Sequence, residues 1–220
     1  MIALHTPAGR FLAPIVNHRH FKAAVIAACA LPALWTAYQI GTVLLTGDAS
    51  SLGANPIERI LRRLGEVTLI LLCLTLAITP ARNLLKLPKL LAVRRALGVA
   101  TFAYGSLHLL SWVGWDMGFD LADIVTDLAK RPFIFVGMLT WFLMLPLAAT
   151  SFNRAIKWMG GKRWVWLHKA VYAVAIAAVV HYWWIKSGKN NLDEPIKYAV
   201  IVALLLGWRV WHFIKARQKA

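Results

Sequence analysis

The sequence predicts an all-α, polytopic membrane bundle of six transmembrane helices with both termini on the cytoplasmic side, and three observations carry that prediction. The 220-residue chain is 60% hydrophobic and only 15% charged, with a mean hydropathy of +0.61, too apolar for a water-soluble globular domain of this size. Its apolar residues fall into six runs, most of them close to the roughly 20 residues a helix needs to cross a bilayer, which leaves no room for a sizeable soluble catalytic domain. Finally, 25 Lys and Arg against 9 Asp and Glu punctuate those runs unevenly. The net charge of +16 therefore reads as membrane topology among lipid, and not as a nucleic-acid surface.

A charged segment over 1–22 precedes the first run, 23–45, which is too long for a signal-peptide core and lacks a cleavage site, so it is expected to be a retained span. The second run, 67–81, is short and needs Leu64 to Glu66 at headgroup level. The others cover 96–115, 132–151, 164–185 and 198–213, and a tail over 214–220 ends the chain. Each run is expected to be helical, because a lone span can satisfy its backbone polar groups in lipid only that way. Residues 23–213 are thus expected to form one transmembrane domain. Cys29 and Cys73 fall inside apolar runs and read as small hydrophobes.

Orientation follows from the loops. The termini with the 82–95 and 153–163 loops hold 16 basic residues and no acid, whereas the other three loops hold eight basic residues and all nine acids. The first side is therefore expected to be cytoplasmic. Trp112, Trp115, Trp164, Trp166, Trp183, Trp184 and Trp208 stand near span ends, as interfacial indoles do.

Two outer loops carry amphipathic patterns. Asn55, Pro56 and Glu58 form a helix start, and Ile57, Ile60, Leu61 and Leu64 recur at helical spacing, which predicts a short helix lying on the membrane surface. Asp116, Asp120, Asp123 and Asp127 share one helix face opposite Leu121, Ile124, Val125 and Leu128. This acidic stripe is read as the solvated face of an interfacial helix, the alternative being a docking surface for a basic outer-side partner.

Seven histidines occur, and depth separates them. His5, His18, His20 and His212 flank the first and last spans and read as interfacial residues. His108, His168 and His181 lie inside spans three and five, where an ionisable side chain is costly and usually functional. His108 and His181 both fall in the outer half of their spans, at comparable depth on two helices, the arrangement by which two imidazoles grip one haem iron. His168 lies thirteen residues before His181, about 20 Å lower on an ideal helix and turned by about 140°. It marks a second site or a structural histidine. Three histidines at two depths do not make a tetrahedral zinc site.

At these residues the chain resembles the MsrQ (formerly YedZ) family, the haem-binding membrane subunits of bacterial periplasmic methionine sulfoxide reductase systems, within the wider ferric-reductase-like transmembrane group. The resemblance rests on Leu52-Gly53-Ala54-Asn55-Pro56, Ile78-Thr79-Pro80, Arg94-Arg95-Ala96-Leu97-Gly98 through Leu107-His108-Leu109, Arg131-Pro132-Phe133, and Leu167-His168-Lys169-Ala170-Val171-Tyr172 followed by His181-Tyr182. It implies an inner-membrane cytochrome b-type subunit that binds haem b, and by family description FMN. Such a subunit passes electrons from the quinone pool or a cytoplasmic flavin reductase to a periplasmic molybdenum-containing partner, which reduces oxidised methionine in proteins. Substrate chemistry would sit on that partner, so no catalytic residue is expected here.

The family's histidines map onto His108, His168 and His181, and its paired arginines onto Arg94 and Arg95. Those guanidinium groups can hold haem propionates or a flavin phosphate, while the positive-inside rule alone also accounts for them. Where related oxidases carry a second histidine on span three, this chain has Arg94. One haem, on His108 and His181, is therefore expected, with His168 a ligand or neighbour of a second. Two rival readings predict different things. A stand-alone ferric reductase needs a cytoplasmic flavin and nicotinamide domain, which the seven residues after Phe213 cannot supply, and a histidine-relay transporter predicts no chromophore.

Overall fold

Each predicted run becomes a helix, and the differences lie at the ends. The computed structural model describes residues 6–188 and 191–218, among which there is no strand; His5 and the extreme ends of the two terminal segments lie outside the described residues. Among the described residues six helices are long and apolar enough to cross a bilayer: Phe21–Thr46, Pro56–Leu85, Pro88–Asp116, Pro132–Ala149, Gly161–Ser187 and Asp193–Arg217. The protein is a multi-pass membrane protein. Large apolar side chains on these helices, such as Leu44, Leu139, Phe142 and Leu204, are exposed, as a helix that is apolar all round requires when its solvent is lipid. The chain divides into two compact units, Met1–Val125 and Thr126–Ala220.

In the first unit, α1 (Pro7–Asn17) opens on Thr6, whose hydroxyl accepts from the Gly9 N–H, with Pro7 in the first turn. Helix α2 (Phe21–Thr46) contains Pro32 and closes on Gly47 at φ 71°, a left-handed cap that glycine adopts without strain. One residue after the proline, the Tyr104 hydroxyl accepts from the Ala33 N–H at 2.9 Å and donates to the Cys29 carbonyl at 2.7 Å. It thus stands inside the backbone bond that would join those two residues.

Helix α3 (Pro56–Leu85) starts on Asn55, whose side chain accepts from the Glu58 N–H. The expected surface helix is therefore not a separate element. Nothing between Leu61 and Val67 breaks a helix, Ile60 and Leu64 are buried in the unit's core, and so the pattern beginning at Pro56 runs on into span two. At 30 residues the helix is about 45 Å long, and the predicted shortness of this span disappears. Helix α4 (Leu91–Ser111) packs along α3 and passes into a π-turn over Trp112–Asp116, where the Met117 N–H reaches back to the Trp112 carbonyl. Leu52, Ile60, Leu64, Leu71, Val93, Leu97 and Tyr104 form the core.

Helix α5 (Leu121–Lys130) bridges the division between the units. It breaks the expected acidic stripe. Asp120 caps the helix by accepting from the Ala122 and Asp123 N–H groups, and Asp127 is buried with Arg131 at 3.0 Å. A neighbouring cation four residues on lets this carboxylate leave water.

The second unit holds α6 (Pro132–Ala149), α7 (Asn153–Met159), α8 (Gly161–His168), α9 (Val171–Ser187) and α10 (Asp193–Arg217). Helix α9 packs against both α6 and α10, around Val174 and Ala175, which are fully buried. Span five is interrupted at Lys169 and Ala170, whose N–H groups bond three residues back, to Trp166 and Leu167. That tight turn separates α8 from α9, so the ideal-helix phase between His168 and His181 does not hold.

Candidate functional site

His108 is half-buried on α4 and rests against α3. Its Nδ1 lies 2.9 Å from the Leu61 carbonyl oxygen. A carbonyl only accepts, so Nδ1 carries the proton and the ring's lone pair is on Nε2. The ring comes this close because residue 65, one turn further along α3, is glycine. A Cβ there would stand 3.1 Å from His108 Cε1 and 3.3 Å from Nδ1.

His181 on α9 repeats the arrangement in the other unit. Its Nδ1 lies 2.6 Å from the Phe133 carbonyl oxygen on α6, which assigns the same tautomer. Gly137, four residues beyond Phe133, makes the room. A Cβ at this position would stand 2.6 Å from His181 Cε1 and 2.8 Å from Nδ1, closer than atoms pack. Each imidazole is therefore seated by a carbonyl at one residue and a glycine four later on the neighbouring helix. Sequence reasoning found both histidines and missed both seats. The signal was present as Leu61 to Gly65 and Phe133 to Gly137, but a glycine in an apolar helix does not say which side chain crosses it.

His168 is held differently. Its Nδ1 donates to the Trp164 carbonyl of its own helix at 3.0 Å, its ring stacks on the Trp164 indole with centroids 3.8 Å apart, and its Nε2 lies 3.5 Å from Ser151 Oγ. The Trp164 indole N–H donates to the Thr150 carbonyl. These contacts tie α8 to the end of α6.

Arg94 and Arg95 are exposed near the start of α4, with Arg94 Nη1 3.4 Å from Thr79 Oγ1. Fourteen residues separate Arg94 from His108, about 21 Å of helical rise. The structure does not bring either arginine to His108. Trp112, expected as an interfacial indole, is instead buried, at 7% exposure.

Among the described residues no group of three or more His, Cys, Asp or Glu side chains could gather round one metal ion. What the two seats present is single neutral imidazoles of fixed tautomer and orientation, the hydrogen-bonded kind that metal-ligating histidines show. That donor set fits an axial ligand of haem iron, whose other equatorial bonds the macrocycle supplies.

The family model described as "Ferric reductase like transmembrane component" matches residues 64–179, a stretch that includes Gly65, His108, Gly137 and His168 and ends just before His181. A protein-methionine-sulfoxide reductase heme-binding subunit MsrQ of Polaromonas naphthalenivorans is 49% identical over 203 residues, covering 92% of this chain and 90% of its own length. The subunit of the same name from Ralstonia nicotianae is 48% identical over 81% of this chain and 82% of its own length. That from Caulobacter vibrioides is 42% identical over 88% of each. No solved structure matches the chain. Shared length, identity and the matched transmembrane region together place this chain in the MsrQ family of ferric-reductase-like transmembrane proteins.

Proposed function

We propose that this chain is the haem-carrying membrane subunit of a protein-methionine-sulfoxide reductase system, in which His108 and His181 would be the residues that hold one haem b. The observation that carries the proposal is the pair of matching seats: two spans each hold an imidazole by Nδ1–H to a carbonyl, over a glycine four residues on. Residues 23–213 act as one haem-binding domain, with 1–22 and 214–220 cytoplasmic by the distribution of basic residues. The membrane is the bacterial inner membrane. When bound, haem supplies a one-electron couple.

The chain's own residues fix that couple in place. Leu61 and Phe133 carbonyls orient the rings and raise the electron density at Nε2. Electrons enter from the quinone pool or a cytoplasmic flavin reductase and leave to a periplasmic molybdenum-containing catalytic subunit, where methionine sulfoxide in oxidised proteins is reduced. Arg94 and Arg95 lie at the cytoplasmic end under this topology, where their charge suits a second haem's propionates or the phosphate of FMN. His168, beside Trp164 and Ser151, is the ligand or the neighbour of that second haem.

The test is an absorption spectrum of the detergent-purified protein, oxidised and dithionite-reduced, with a pyridine haemochrome assay. Two haems per chain support His168 as ligand or neighbour of the second; one haem per chain rejects that role and leaves His168 a structural histidine. His108→Ala and His181→Ala each remove the same haem, and full retention in either variant refutes the pairing. A colourless protein from haem-replete cells refutes the reading as a whole and leaves the histidine relay. Acid extraction reports FMN.

A further inference from the structure

The π-turn that follows His108 holds a buried donor which nothing so far uses. Trp112 is 7% exposed, and its indole Nε1 is shut off from solvent with no acceptor among the described residues. A buried N–H left unpaired carries the desolvation penalty with nothing to offset it, so a retained one calls for an acceptor. The backbone is α-helical from His108 to Trp112, whose N–H bonds the His108 and Leu109 carbonyls. Four residues along a helix place two side chains on one face about 6 Å apart. Immediately beyond, the ladder widens to the π form, a rare local geometry that recurs at functional sites. The first unit packs this π-turn against α3 as well as α4, the same helix that seats His108.

Its position one turn beyond His108 points to an acceptor on a group that His108 would ligate. A haem carries two propionate carboxylates, acceptor-only groups at the macrocycle's edge, and an N–H to a carboxylate is a charge-assisted bond. The arginines proposed for propionates do not reach this end of α4. We infer that Trp112 is a positioning residue for the haem on His108, donating its indole N–H to one propionate carboxylate. The inference rests on the haem reading above.

The bond stabilises the ionised propionate and spreads its charge away from the iron. Trp112→Phe keeps an aromatic ring and removes only the donor. The variant is expected to bind haem with an unchanged low-spin spectrum while its redox equilibrium shifts about threefold toward the ferric form, ~30 mV at about 59 mV per tenfold for one electron. The pH at which the potential starts to change rises, because a carboxylate that loses a donor keeps its proton to higher pH. In haem dimethyl ester, which lacks ionised propionates, the difference between wild type and variant vanishes.

An unchanged potential and pH profile at full haem content overturns the inference. Should Trp112→Phe fail to fold, the wild type still decides. One indole ¹⁵N–H resonance, or the matching tryptophan hydrogen-bond band in ultraviolet resonance Raman, moves when the apoprotein takes up haem and moves less with the dimethyl ester. No such response in a protein that binds haem rejects Trp112 alone. Absence of haem binding rejects the underlying reading with it.

Discussion

The two units solve one problem with the same device at different tolerances. In the first, His108 sits 2.9 Å from its carbonyl and 3.1 Å from the place a Gly65 Cβ would occupy, on a helix pair backed by a continuous buried cluster. In the second, His181 sits 2.6 Å from its carbonyl and 2.6 Å from a Gly137 Cβ, and the buried residues include Thr140, Met144, Val174, Ala175, Pro195 and Val202. In both units a glycine of the neighbouring helix gives the imidazole its room, and the seat at Gly137 is the tighter of the two. A glycine in a membrane helix thus makes room for an imidazole that crosses it.

The largest expected effect tests that comparison directly. Gly137→Ala drives a methyl group into a ring pinned by its own hydrogen bond, so His181 must leave its seat. Haem affinity of the apoprotein, measured by titration, falls about a hundredfold, the upper end for a supporting partner. At Gly65 a shift of a few tenths of an ångström accommodates the methyl, and Gly65→Ala costs about tenfold. Equal losses, or the reverse order, would break the comparison between the two units.

Tyr104→Phe probes the packing of the first unit. It strips both hydrogen bonds from the gap in α2, exposing the Ala33 N–H and Cys29 carbonyl to an aromatic edge, at about 1–2 kcal/mol. Amide exchange at Ala33 rises, thermal stability drops, and the haem spectrum stays the same. A changed spectrum would mean that the first unit's core reaches the ligand after all.

The smallest effect lies outside the membrane, in the loop after α2. The Ser50 N–H and hydroxyl both donate to Asp48 and hold its carboxyl below the usual carboxylate range. A depressed acid contributes stability above its unfolded value, near pH ~4, and loses it as pH falls through the folded one. Protection of the Ser50 amide, its exchange rate relative to the intrinsic rate at each pH, is therefore flat at neutral pH and is lost only below about pH 4. Asp48→Asn removes that acid limb and leaves both histidine seats untouched.

Much of this was readable in advance. Composition and basic-residue bias predicted six helices, and the depth of His108 and His181 singled out the pair whose seats proved alike. The resemblance to the MsrQ family carried the same residues and was confirmed by relatives matching most of the chain. The misses share a cause. The surface helix at Pro56, the solvated acidic stripe and the interfacial Trp112 were each placed by local pattern, and each was overruled by a neighbour: the core around Ile60 and Leu64, Arg131 beside Asp127, and the π-turn packed on α3. His168 was set apart from the other two by its expected depth, and the turn at Lys169 and Ala170 that sets its direction left no periodic trace.

The sequence by itself determined that the chain lives in lipid as six helices, because hydropathy and charge act residue by residue and need no partner to be felt. It also determined which histidines are costly enough to matter. Only the tertiary structure decided which nitrogen of each ring carries the proton, which glycine lies beneath it, and that Trp112 turns its N–H inward. Those depend on which two helix surfaces meet, a relation between distant segments that no local window of sequence contains.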